Sequence, residues 1–113
     1  MLINLTSHTI NEVTTGVSIP PSGRVARVNP RTRKVSEFLG YPIFESVLGA
    51  VEGLPEPQEG VMYIVSALCM NACPDRHDLL SPGNAVRNEH KVIVGCLGFR
   101  SNLNLPKQNL TIA

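Results

Sequence analysis

The chain has no tryptophan, and only two tyrosines and three phenylalanines. With aromatics at 4%, its core must rest on Val, Ile and Leu, and base stacking along a nucleic-acid polymer has few platforms. No apolar run approaches the roughly 18 residues of a membrane span, and no leader of the signal-peptide kind opens the sequence. Neither sign of charge dominates. Ten Lys and Arg face nine Asp and Glu for a net charge of +1, which excludes a whole-protein pull toward nucleic acid or an anionic membrane. Three cysteines are too few for a disulfide framework and argue for a reducing setting, so the expected location is the cytoplasm. The dinucleotide, phosphate-loop and nucleophile-elbow glycine motifs are all missing. Asn4-Leu5-Thr6 and Asn109-Leu110-Thr111 match the glycosylation sequon by chance.

What is present describes an ordinary globular chain. At 113 residues, with 42% hydrophobic and 17% charged residues, it is expected to form a single domain over 1–113 with a modest core. LINL (2–5) and TINEVT (9–14) alternate apolar and polar residues as half-buried strands do. Pro20-Pro21-Ser22-Gly23 signals a turn, and RVARVNP reads as a strand with a bulge or an edge. The polar, basic PRTRKVSEFLG (30–40) reads as a hairpin tip or loop. YPIFESV (41–47) reads as an edge strand because of Pro42, and GAVEGLPEPQEG (49–60) as a loop around a short strand. VMYIVS (61–66) is the best buried strand, and Ser66 is placed to cap a short helix, ALCMNAC, that Pro74 ends. AVRN, a tight EHK turn and VIVGCLGF form a hairpin, and KQNLTIA adds a last strand. The expected class is α+β, mostly antiparallel sheet with one or two short helices.

The densest chemistry lies in VSALCMNACPDRHDLL (65–80). Cys69, Cys73 and His77 recur every four residues, but on a straight helix the first and third stand about 12 Å apart, and a fourth zinc ligand is not supplied. A redox pair belongs at a helix N-terminus, whereas these cysteines occupy the interior and the C-terminal end. Buried small side chains fit them better, so no metal and no cofactor are expected. Catalysis is not expected either. Arg76 and Asp78 are open to two readings. They brace the loop after Pro74 as an ion pair, or Arg76, Arg87 and the Arg24/Arg27 strand line one concavity and grip an anion. In the second reading Asn71 and Asn88 add amide hydrogen bonds.

INLTSHTI, PPSGRVARV, GLPEPQEGVMYIVSAL, PDRHDLLSPGNAVRN and VIVGCLGF together resemble the wording of small phage and prophage proteins. In that group the first word tends to read NLTPHTI, from which Ser7 departs. The resemblance covers most of the chain and is weak over 30–48. It implies a phage-type protein of the host-cell cytoplasm, similar to the sponges of the Thoeris anti-defence type. Such proteins sequester a cyclic ADP-ribose-type or cyclic oligonucleotide immune signal without chemistry, usually as homo-oligomers. On that implication the pocket residues are Arg27, Asn71, Arg76, Asp78 and Arg87. The arginines would hold the pyrophosphate, and Asn71 and Asp78 the base or ribose hydroxyls. The partner is then a small anionic nucleotide rather than a membrane or a nucleic-acid polymer. The competing expectation is a protein-binding inhibitor or virion accessory protein that presents an apolar patch or edge strand around Tyr41 to Phe44 and binds no small molecule.

Overall fold

Short alternating segments punctuated by Gly and Pro cannot bury an apolar face alone, and here they are gathered into one sheet. The computed structural model describes residues 1–102. In chain order it contains β1 (Leu2–Asn4), β2 (Ile10–Glu12), β3 (Val17–Ile19), β4 (Arg27–Phe38), β5 (Tyr41–Glu52), β6 (Met62–Ile64), α1 (Ala67–Asn71), β7 (Leu79–Arg87) and β8 (Ile93–Ser101). Six strands form one sheet in the order β1-β6-β7-β8-β2-β3, and β4 pairs only with β5. The protein is a small, mostly β domain, with one five-residue helix among the described residues.

β6 carries the core because it lies between β1 and β7 and is buried on both faces, which explains its continuous apolar run. Tyr63 and Val65 point to one side, packing with Leu5, Ala26, Leu79 and the helix residues Cys69 and Met70. Ile64 points to the other, against Ile10, Cys96, Ile19 and Phe99. That second cluster joins strands far apart in the sheet order, so the sheet must curl. β1 and β3 end the order on opposite sides, yet the Asn4 amide on β1 donates to the Ile19 carbonyl on β3 at 3.0 Å. The same amide donates to the His8 carbonyl at 2.8 Å, while its oxygen accepts from the Thr6 N–H at 2.9 Å and the Thr6 hydroxyl at 2.7 Å. Asn4 is thus buried and fully bonded. It closes the curl and shapes the turn of the NLTSHT word, and its nitrogen is unavailable to a glycan.

A carboxylate fastens the other flank. Glu12 is 5% exposed and accepts from the Thr14, Thr15 and Gly98 N–H groups at 3.0, 2.8 and 2.8 Å, and from the Thr14 and Thr15 hydroxyls. These donors, the Thr14 hydroxyl foremost and the Gly98 N–H next, hold its carboxyl well below the usual carboxylate range. One side chain so ties the β2–β3 turn to β8, where the strand pairing itself is short.

Three expectations are corrected. Segment 30–40 is not a loop: β4 runs through it, pairs with β5 from Arg27↔Glu52 to Phe38↔Tyr41, and bulges at two points. β5 likewise continues through Gly49 to Glu52. Finally, β7 begins at Leu79 and passes straight through Pro82-Gly83. Gly83 is required there because a Cβ would collide with the Leu97 and Gly98 carbonyls of β8. The pairing is mostly antiparallel, as expected, through β2–β3, β4–β5 and β7–β8, with shorter parallel pairings at β1–β6, β6–β7 and β2–β8. The expected strand at KQNLTIA lies outside the described residues.

Candidate functional site

The helix forms as its sequence predicts. Ser66 is extended, and its Oγ accepts the Cys69 N–H at 3.2 Å. Cys69 and Met70 turn into the core, leaving Asn71 exposed at the C-terminal end. The chain then tightens through Cys73 N–H to the Met70 carbonyl and Arg76 N–H to the Cys73 carbonyl, both at 3.1 Å. The end of β8 is drawn under this turn: the Asn102 amide donates to the Cys73 carbonyl at 3.1 Å and to the Arg76 carbonyl.

Between α1 and the ends of β7 and β8 lies a cleft of about 460 Å³ lined by Ala67, Met70, Asn71, Pro74, Ser81, Arg100, Ser101 and Asn102. That volume lies within the range of small-molecule sites. Ser81 stands opposite Arg100 across the β7–β8 ladder. It is fully buried, and its hydroxyl has no hydrogen-bond partner among the described residues. Leaving such a group unpaired costs about 1–3 kcal/mol; with the residue 0% exposed, a ligand atom meets the hydroxyl only when the cleft wall shifts. Arg100 donates to the Asn84 side chain at 2.6 Å, one use of the five N–H donors a guanidinium carries. The cleft is therefore lined by one cation, Arg100, two amides, Asn71 and Asn102, and one further hydroxyl, Ser101, around the unmet Ser81 hydroxyl. The Asn102 nitrogen already donates to two carbonyls.

Of the residues expected to form a pocket, the cleft takes Asn71 alone. Arg76 and Asp78 are together, as the bracing reading has it. Arg76 Nε and Nη2 donate to the two carboxylate oxygens at 2.9 and 2.8 Å, and Nη2 also reaches the Pro55 carbonyl at 2.8 Å. The Asp78 carboxylate, bonded to the guanidinium, raises the pKa of Arg76 and keeps it charged. Arg27 lies beside Ser66, Leu68 and Cys69 in a separate hollow of about 200 Å³. Arg87 ends β7 and donates to the Lys91 carbonyl at 2.9 Å within the hairpin turn. Leu79 and Arg87 bound a nine-residue strand roughly 26 Å long; Arg76 lies before its first residue and Arg87 at its last. One copy of the chain does not bring the three arginines to one ligand.

The residues missed are Ser81, Arg100, Ser101 and Asn102. Arg100 had a signal, a charge closing an apolar strand. Its partner Ser81 sat in a segment read as loop, so the two could not be phased onto one face. The cysteines are packing residues. Cys69 and Cys96 are buried, and the Cys69 thiol donates to the Ala26 carbonyl at 3.4 Å. Burial pushes the Cys73 thiol up, away from the thiolate a nucleophile needs. Among the described residues no group of three His, Cys, Asp or Glu is placed to hold a metal, and no helix is long and apolar enough to cross a membrane.

A second cleft of about 430 Å³ runs beside His8, Thr9, Ile10, Asn11, Pro82 and Ile93; it has no Arg or Lys in its lining. No protein-family profile, curated protein or solved structure matches the chain.

Proposed function

We propose that the protein binds and sequesters a small anionic nucleotide without transforming it, and that it does so as a phage-type anti-defence protein in the host cytoplasm. The expected ligand is a signal of the cyclic ADP-ribose or cyclic oligonucleotide type. The observation that carries the reading is the buried, unpartnered Ser81 hydroxyl in a cleft that also presents Arg100, Asn71 and Asn102. A guanidinium suits a phosphate, and amides and hydroxyls suit a base edge or ribose. The same cleft offers no activated nucleophile, which favours holding over chemistry. Asn71 keeps its assigned role. Arg100 takes the phosphate role, and Arg76 with Asp78 supports the cleft from behind.

Titration of the purified protein with cyclic nucleotides and cyclic ADP-ribose isomers, followed calorimetrically and by native mass spectrometry, tests this. A member of the panel should bind and be recovered with unchanged mass. Arg100→Ala should weaken that ligand by about 10–150-fold, the loss of one charge-assisted contact worth roughly 1.5–3 kcal/mol. Arg87→Ala should leave it unchanged. Binding indifferent to Arg100→Ala would empty the cleft of its role, and no binding across the panel would end the nucleotide reading. The second reading, a protein-binding inhibitor or virion accessory protein, is favoured by the exposure of Tyr41, Ile43 and Phe44 on the β4–β5 hairpin.

A further inference from the structure

The β4–β5 hairpin departs from the sheet and forms an arm. Only its base, at Val28 and Val51, packs on the core; beyond that, both strands are exposed along their length. A two-stranded ribbon is marginally stable by itself, yet this one carries its largest apolar side chains where they touch least of the chain. Tyr41, Ile43 and Val47 alternate onto one face, and the register sets Phe38 beside Tyr41. The tip adds a second anomaly. Leu39 and Gly40 turn the chain with φ of 51° and 82°. Positive φ at both positions is the hairpin turn that Asn-Gly suits, whereas a leucine there is strained by about 1–2 kcal/mol. Leu39 is also 82% exposed. It carries strain and bares apolar surface at once, with no return inside the chain.

We infer that this arm is an interaction surface and that its occupant is the arm of a second copy of the chain, stacked face to face. Charge decides the occupant. On the apolar face β4 contributes Arg31 and Arg33 and β5 contributes Glu45, with Arg33 and Glu45 paired at 2.5 Å. The ribbon is positive along one strand and negative along the other. A polyanion or an anionic membrane meets Arg33 already neutralised by Glu45, which leaves it Arg31 alone on this face. A second ribbon related by a twofold axis parallel to the strands lays its β5 over this β4, and its β4 over this β5, so both charge pairs are met. Area agrees. Phe38, Leu39, Tyr41, Ile43 and Val47 offer roughly 500–700 Å² of apolar surface per copy, near the 800 Å² per partner of a standard interface.

Sedimentation velocity on the full chain across a concentration series tests the inference. The wild type should shift from monomer to dimer. Leu39→Asn supplies the residue the turn favours, so the fold is kept or strengthened. It should nevertheless weaken the dimer by about tenfold or more, a separation that a merely structural arm would not show. Phe38→Glu with Tyr41→Glu should give a monomer with unchanged circular dichroism. Arg33→Glu should weaken association, and adding Glu45→Arg should restore it. A wild type that stays monomeric at high micromolar concentration, or variants that associate like the wild type, would overturn the proposal. Binding of the monomer to anionic vesicles through Tyr41 would overturn it equally.

Discussion

The chain's two tyrosines occupy opposite circumstances. Tyr63 sits at the centre of the curled sheet, 1% exposed, its hydroxyl donating to the Glu56 carbonyl at 3.3 Å. Tyr41 sits near the end of the arm, 71% exposed. The sheet commits Tyr63 to its own stability, although β8 also exposes Ile93, Val94 and Leu97; the arm leaves Phe38, Tyr41 and Phe44 uncommitted. One residue type does two jobs, and position in the topology decides which. The candidate cleft belongs to the sheet, between α1 and the ends of β7 and β8, and the association surface we infer belongs to the arm.

Substitutions should divide along the same line. The largest effect is expected from Tyr63→Ala, which empties the middle of the core and should lower the free energy of unfolding by about 3–5 kcal/mol, read from urea denaturation. A smaller effect with a distinctive pH signature is expected from Glu12→Gln. The carboxyl is depressed in the folded state, so its stabilising contribution is present above the ordinary carboxylate pKa near 4.5. It declines as pH falls below that value, because the unfolded chain then takes up a proton that the folded chain resists. Thermal melts should therefore show the variant less stable at pH 7 and the gap to the wild type narrowing below about pH 4.5. A gap that widened on acidification would refute the depressed carboxyl. The smallest effect is expected from Tyr41→Ala, within about 0.5 kcal/mol in dilute solution where copies do not meet. A loss comparable to that of Tyr63→Ala would mean that the arm is part of the core after all.

Much of the sheet was legible because short alternation and capping are local signals. Ser66, Pro74 and the alternation around Ile3 and Ile10 placed α1, β1 and β2 within a residue or two. The arm was not legible, because its β4 strand is polar on nearly every position from Arg31 to Ser36, and polarity in a strand without a neighbouring layer looks like a loop. Pro82-Gly83 misled for a different reason. Turn residues are tolerated inside β7 because β8 approaches too closely for any larger side chain at Gly83, a fact of pairing and not of propensity. The same holds for the cleft. Ser81 and Arg100 face each other only through a ladder whose register shifts near Arg87, and single-sequence alternation does not carry across such a shift. The Arg76–Asp78 pair was legible, being two residues apart. That proximity is also why it braces a loop instead of meeting a ligand.

The strand order carries a consequence for synthesis. Leu2 pairs with Met62, and Glu12 pairs with Cys96. On a ribosome adding about 5–20 residues per second, the first strand waits on the order of 3–12 s for its neighbour. The arm joins adjacent segments through a two-residue turn, and hairpins of that kind close in about 1–10 μs. The segment with the least hold on the finished fold is therefore ready early, after only the β2–β3 hairpin and before β6, β7 and β8 exist. On a translating message shared by several ribosomes, two nascent arms can meet while both sheets are still incomplete.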